Sequence, residues 1–209
     1  MDDTTASTSP LKDADAVVTA VAEVGLLFLS DPKRRNAIEV LTGQFPRGSW
    51  WSHPQANAIY DILNAVEQHP DVMLAKLLSG KVTMVHRKLW PALLAVATSR
   101  EPWQTEGLSA VGAQWLAAFD AAEAAGEAMP AASRTVTKEI EARLLAHGEN
   151  VHTDSGKHET RLASWRSWAE RVGQTLPAGG GAAVAKAKRV LEEAAARLGP
   201  PAVEFPWSA

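Results

Sequence analysis

The sequence predicts an α+β fold, predominantly helical, with a β-hairpin in its first half and a separate helix toward its C-terminal end. Apolar residues recur at three- and four-residue intervals through most of the chain, the spacing that lines one face of an α-helix. The stretch 72–85 instead carries β-favouring residues on both sides of Ser79-Gly80, a short connection of the kind that joins antiparallel strands. Gly179-Gly180-Gly181 is a flexible linker in composition, and an Ala-, Lys- and Glu-rich segment over about 182–198 follows it.

Residues 1–11 are polar and are expected to be disordered. Ala16, Val17, Val21 and Val24 then define a first helix, ended by Gly25. Leu26-Leu27-Phe28-Leu29 is a short apolar run stopped by Asp31-Pro32, and periodicity fits either a buried strand or the end of that helix. Thr42 to Gly48 is a loop by its Gly and Pro content. Ser52 as a cap and Pro54 in a first turn start a helix over 54–68, with Ile59, Ile62, Leu63 and Val66 as its apolar stripe and His69-Pro70-Asp71 as its stop. After the hairpin, Leu89, Leu93, Leu94 and Ala97 restore helical spacing, which tolerates Pro91 only in a first turn.

From Leu108 to Gly126 the pattern is again helical, with Val111, Trp115, Leu116 and Phe119 on one side. Ser133 is the expected cap of a helix carrying Val136, Ile140, Leu144 and Leu145 and stopping at His147-Gly148. A further helix is expected to begin between Thr153 and Ser155, with Leu162, Trp165, Trp168, Ala169 and Val172 on its apolar stripe. The last helix ends at Gly199-Pro200-Pro201. The chain accordingly divides into the N-terminal 1–11, a helix, hairpin and helix unit at 12–105, a helical unit at 106–176, and the linker, helix and tail at 177–209.

Composition restricts the chemistry. The 209 residues are 46% hydrophobic and 22% charged, an ordinary globular mixture, so most of the chain should fold. The absence of cysteine excludes disulfides, thiolate nucleophiles and thiolate metal sites, and fits a cytoplasmic setting. Met1-Asp2-Asp3-Thr4-Thr5 lacks the basic start of an export signal, and no apolar run has the roughly 18 residues that would span a bilayer. A net charge of −3 argues against a broadly basic nucleic-acid binder and leaves room only for a local basic face. No phosphate-cradling glycine motif is present, and no cofactor is expected.

Three groups of residues are candidates for a site. His147, His152, Asp154, Lys157, His158 and Glu159 gather imidazoles and carboxylates, but their spacing matches no standard metal motif. They are expected to form a helix N-terminus capped by Thr153 or Asp154, without metal. Trp50, Trp51, Ser52 and His53 stand before a helix, where the rings can stack on a base or pack on that helix as a staple. Lys76, Lys81, His86, Arg87 and Lys88 make the hairpin and its exit locally basic. Such a hairpin can track a phosphate backbone, or its lysines can protect an edge strand from pairing. Between Arg134 and Arg171 basic and acidic residues nearly cancel.

Certain phrases over roughly 17–172 carry a family resemblance: Val24-Gly25-Leu26-Leu27-Phe28-Leu29, Lys76-Leu77-Leu78-Ser79-Gly80-Lys81-Val82-Thr83, the helix beginning Leu108-Ser109, Val151 to His158, and Trp165-x-x-Trp168. In these the chain resembles the bacterial AlkZ-related proteins, named for their likeness to winged-helix DNA glycosylases. The resemblance implies winged-helix-like helices and a role with DNA, in repair or regulation. Those glycosylases carry a Gln-x-Gln catalytic motif. Here Gln44, Gln55, Gln68, Gln104, Gln114 and Gln174 never stand two apart, so no catalytic residue carries over. The expectation is a DNA-associated binding protein. The alternatives are a hydrolytic enzyme, such as a divergent DNA glycosylase, working at Trp50–His53 or His152–Glu159, and a protein-interaction module using the tryptophans.

Overall fold

The computed structural model describes residues 10–152, 158–178 and 180–208. The fold is α+β and predominantly helical. Helix α1 (Ala14–Val24) starts where the Asp13 side chain accepts from the Ala16 amide, and stops at Gly25, whose φ of 91° few other residues adopt. The run after it is strand β1 (Leu26–Phe28), buried at every residue. Helix α2 (Ala37–Thr42) is capped by Asn36, and α3 spans Ala56–Glu67. The start of α3 lies later than the sequence suggests. Trp50–Ser52 forms a 3-10 turn capped by Ser49, and Ser52 gives its hydroxyl proton to the Ser49 carbonyl instead of capping a helix.

The hairpin is present as expected, with β2 (Val72–Leu78) and β3 (Lys81–His86) joined through Ser79 and Gly80 at φ 49° and 67°. Two positive φ angles are what a tight turn needs to match the twist of its strands. Strand β3 also pairs antiparallel with β1, Leu26 opposite Val85 and Phe28 opposite Thr83, so the sheet order is β1-β3-β2. Helix α4 (Trp90–Ala97) holds Pro91 in its first turn, where no amide partner is lost.

Beyond the short α5 (Pro102–Thr105), α6 (Ala110–Ala125) is capped by Ser109 and ended by Gly126. Helix α7 (Arg134–Ala142) is capped by Ser133 as expected, but stops before Leu144, which at φ 52° turns the chain out of the helix. The helix start expected at Thr153–Ser155 lies outside the described residues, but the stretch 158–163, expected to continue that helix, is a strand. Strand β4 runs His147–His152 and β5 runs His158–Ala163, paired antiparallel, and the following helix α8 (Trp165–Arg171) starts only at its Ser164 cap. Within β5 Leu162 is buried while Thr160 and Arg161 are exposed, and buried residues return at helical spacing only from Trp165 onward, at Trp165, Trp168 and Ala169.

Two cores result. Residues of α1 to α4 and the three-stranded sheet form the larger one, together with Trp165 and Trp168 of α8, Leu191 of α9 (Gly181–Ala196) and Phe205 of the tail. The smaller is built from Trp115, Leu116, Phe119, Val136, Ile140, Leu145 and Leu162. Helix α9 lies against α4, so the C-terminal segment closes the first unit instead of extending from it.

Candidate functional site

The basic residues of the hairpin do not meet as a bare cationic face. Lys81 donates to Asp31 at 2.6 Å, and Asp31, 1% exposed, also accepts from Arg34 at 3.2 Å and from the Lys33 amide at 2.8 Å. Burial works to raise the Asp31 pKa. The hydrogen bonds from Lys81 and Lys33 and the fields of Lys81 and Arg34 outweigh it and hold the carboxyl below the usual aspartate value. Lys76 pairs with Glu141, Arg87 pairs with Asp71 at 2.9 Å, and Lys88 donates to the Ala22 carbonyl. His86 accepts the Lys88 amide on Nδ1, and burial followed by the Lys88 charge lowers its pKa. The turn itself is covered by the chain's own tail. The Ser79 amide donates to the Glu204 carbonyl at 2.7 Å, and Arg34 donates to the carbonyls of Pro201 and Ala202.

A different positive surface lies on α7. Its acids face inward to neighbours: Glu139 accepts from the Ser109 amide and hydroxyl, both at 2.7 Å, and Glu141 takes Lys76. Hydrogen bonding from Ser109 holds the Glu139 pKa low. Arg143 donates to the carbonyls of Trp103, Glu106 and Gly107. Arg134 and Lys138 are left exposed and, among the described residues, without an ion pair. They flank a groove of about 540 Å³ that also includes Lys76, Thr137 and Thr160. Behind it Gly148 is packed against Glu141, where a Cβ would lie 2.2 Å from the carboxylate. The exposed positions of α3, in contrast, are Asn57, Ala58, Asp61 and Ala65, none of them cationic.

At the entry to α3, Trp50 and Trp51 stack with centroids 4.1 Å apart, and Trp51 reaches Tyr60 at 5.5 Å. The expected staple onto the following helix is thus made through Tyr60, although Trp51 stays 56% exposed. His53 accepts the Gln55 amide on Nδ1, and the Ser52 hydroxyl is committed to Ser49, so no nucleophile and base are paired here. A cleft of about 360 Å³ adjoins them, lined in part by Phe45, Arg47 and Trp50.

Of the histidine cluster, His147 and His152 lie on β4 and His158 on β5, while the expected caps Thr153 and Asp154 lie outside the described residues. His152 and His158 are register partners at the end of the β4–β5 ladder. Among the described residues, no group of three or more His, Asp or Glu is gathered to hold a metal. His147 is set apart from them. It is 8% exposed, with its ring 5.2 Å from Trp165 and 5.8 Å from Trp168. Burial, aided by the Arg171 charge, pushes its pKa down to about 4.

Sequence reasoning missed Arg134 and Lys138. Their signal was a Ser133 cap followed by cations off the Val136 and Ile140 face. Compared with family models, curated proteins and solved structures, the chain matches none.

Proposed function

We propose that this is a DNA-associated protein that lays α7 and the adjoining β4–β5 hairpin along the phosphate backbone of a duplex. The reading is supported by the order α1-β1-α2-α3-β2-β3 with sheet order β1-β3-β2, which is compatible with a winged-helix-like module of helices and a hairpin. Helices α6 and α7 followed by β4–β5 repeat its helix, helix and hairpin part. This supports the AlkZ-related resemblance at the level of topology. The observation that carries the reading is the sorting of charge on α7: its acids are consumed by Ser109 and Lys76, while Arg134 and Lys138 stay outward beside its N-terminus. In helix-turn-helix proteins the N-terminal part of the second helix enters the groove and cations beside it position the backbone.

The first unit has a supporting role in this reading, because its second helix α3 is uncharged or acidic outward and its hairpin tip is occupied by the tail. With a net charge of −3 the contact is small, and affinity is weak and steeply salt-dependent. Duplex binding followed by fluorescence anisotropy over a salt series tests it. Replacing Arg134 and Lys138 by Ala should lower the slope of log affinity against log salt by about two. An unchanged slope in that variant, with a loss on replacing Lys81, Arg87 and Lys88, would return the contact to the first hairpin.

A further inference from the structure

A polar group that opens onto a cavity from a mostly buried side chain bonds to whatever fills that cavity, and an occupant that cannot reproduce the hydrogen bonds of the solvent it displaces loses affinity. Two polar rings without a protein partner border one cavity here, neither of them among the polar atoms sealed from solvent. The His147 imidazole makes no hydrogen bond with any described residue, and neither does the indole N–H of Trp168, although Trp168 is only 6% exposed. Neighbouring indoles show what is missing: Trp90 donates to the Val85 carbonyl at 3.0 Å and Trp165 to the Leu144 carbonyl at 2.7 Å.

His147 and Trp168 line a cavity of about 480 Å³ between the C-terminal end of α3, strand β2, strand β4 and α8. That volume is in the range of small-molecule sites. Trp90 stands edge-on to Trp168 at 5.0 Å, so the wall is aromatic. Glu149 pairs with Arg171, whereas Glu67 accepts the Asn150 side-chain amide at 3.3 Å and has no cationic partner among the described residues. The cavity therefore offers one uncommitted imidazole, one uncommitted N–H donor, one carboxylate acceptor and an aromatic wall.

We infer that this cavity binds a small planar nitrogen heterocycle carrying both an N–H donor and a lone-pair nitrogen. The lone pair accepts from Trp168, the N–H is taken by His147 or Glu67, and the ring packs on the tryptophans. Hydrocarbons of the same shape would leave both polar groups unsatisfied. The inference is independent of the α7 reading.

Benzimidazole, with indene as its nitrogen-free counterpart, tests it on the full chain at pH 8. Expected are saturable binding of benzimidazole, a shift of the Trp168 indole N–H resonance with little change at Trp50 and Trp51, and at least tenfold weaker binding of indene. Glu67→Gln and Trp168→Phe should each weaken benzimidazole at least threefold. Glu67 is half-buried, so its variant should keep the fold if the Trp168 variant does not. Failure to saturate, equal binding of indene, or shifts confined to Trp50 and Trp51 would overturn the assignment.

Discussion

Lys76 of β2 and Glu141 of α7 form an ion pair across 65 residues of sequence that ties the first hairpin to the second helical unit. The carboxylate is the more buried partner, at 11% side-chain exposure against 32% for the lysine. The pair therefore has two effects: it joins the units and cancels a positive charge on the groove beside Arg134 and Lys138.

Glu141→Gln should separate the two effects. The partly exposed pair contributes about 1 kcal/mol, so the urea midpoint should fall slightly. Freed of its partner, Lys76 adds to the groove, and duplex affinity should rise with a salt slope steeper by up to about one. Weaker binding in a variant that remains folded would count against α7 as the contact.

Asp31→Ala should be more damaging. Its carboxylate is buried and holds Lys81, Arg34 and the Lys33 amide, and removal leaves cations without their acceptor. Because Lys81 is 43% exposed and can rehydrate, the cost is discounted to about 2 kcal/mol. Chemical denaturation measures it, and a loss under 0.5 kcal/mol would show that these contacts are not held in solution.

His147 sets an acid dependence. Its ordinary pKa of 6.5 applies to the unfolded chain, and in the fold it is about 4. Between these values the unfolded state binds a proton that the folded state refuses. Stability is complete above about pH 6.5 and declines as pH falls toward 4, by on the order of 3 kcal/mol. Charged or titratable groups facing the same cavity are Glu67 and His69 after α3, Glu149 on its own strand and Arg171 on α8. Asp31, Glu101 and Glu139, all with lowered pKa values, contribute their losses at lower pH. His147→Phe should flatten the curve between pH 6.5 and 4.5, which denaturation at several pH values would reveal.

Phe205→Ala probes the tail. The ring is 6% exposed in the larger core and stacks on Trp207 at 4.5 Å. The loss should be about 3 kcal/mol, the lower end for a truncated core aromatic. A thermal melt unchanged by the substitution would mean that the tail does not dock.

The first hairpin was legible because its turn chemistry is local: Ser79-Gly80 alone dictates the reversal. The second hairpin was not. In β4 and β5 no run of alternating apolar residues marks a strand, and the tryptophans of α8 extend an apparent helical pattern backward through Leu162. The basic residues could be seen in the sequence, but their neutralisation could not. Asp31 lies 50 residues from Lys81 and Glu141 lies 65 from Lys76, distances at which only the fold pairs them. The His147 cavity was hidden for the same reason, since its walls come from α3, β2, β4 and α8.

Synthesis order gives the tail a temporal consequence. Glu204 emerges 125 residues after the Ser79 it holds. At about 5–20 residues per second, the first hairpin waits roughly 6–25 s on the ribosome with its turn uncovered. During that interval Arg34 lacks the Pro201 and Ala202 carbonyls, and the core lacks Phe205. Nascent chains halted in this window should be the form most open to chaperones and proteases, although the N-terminal sheet can already pair.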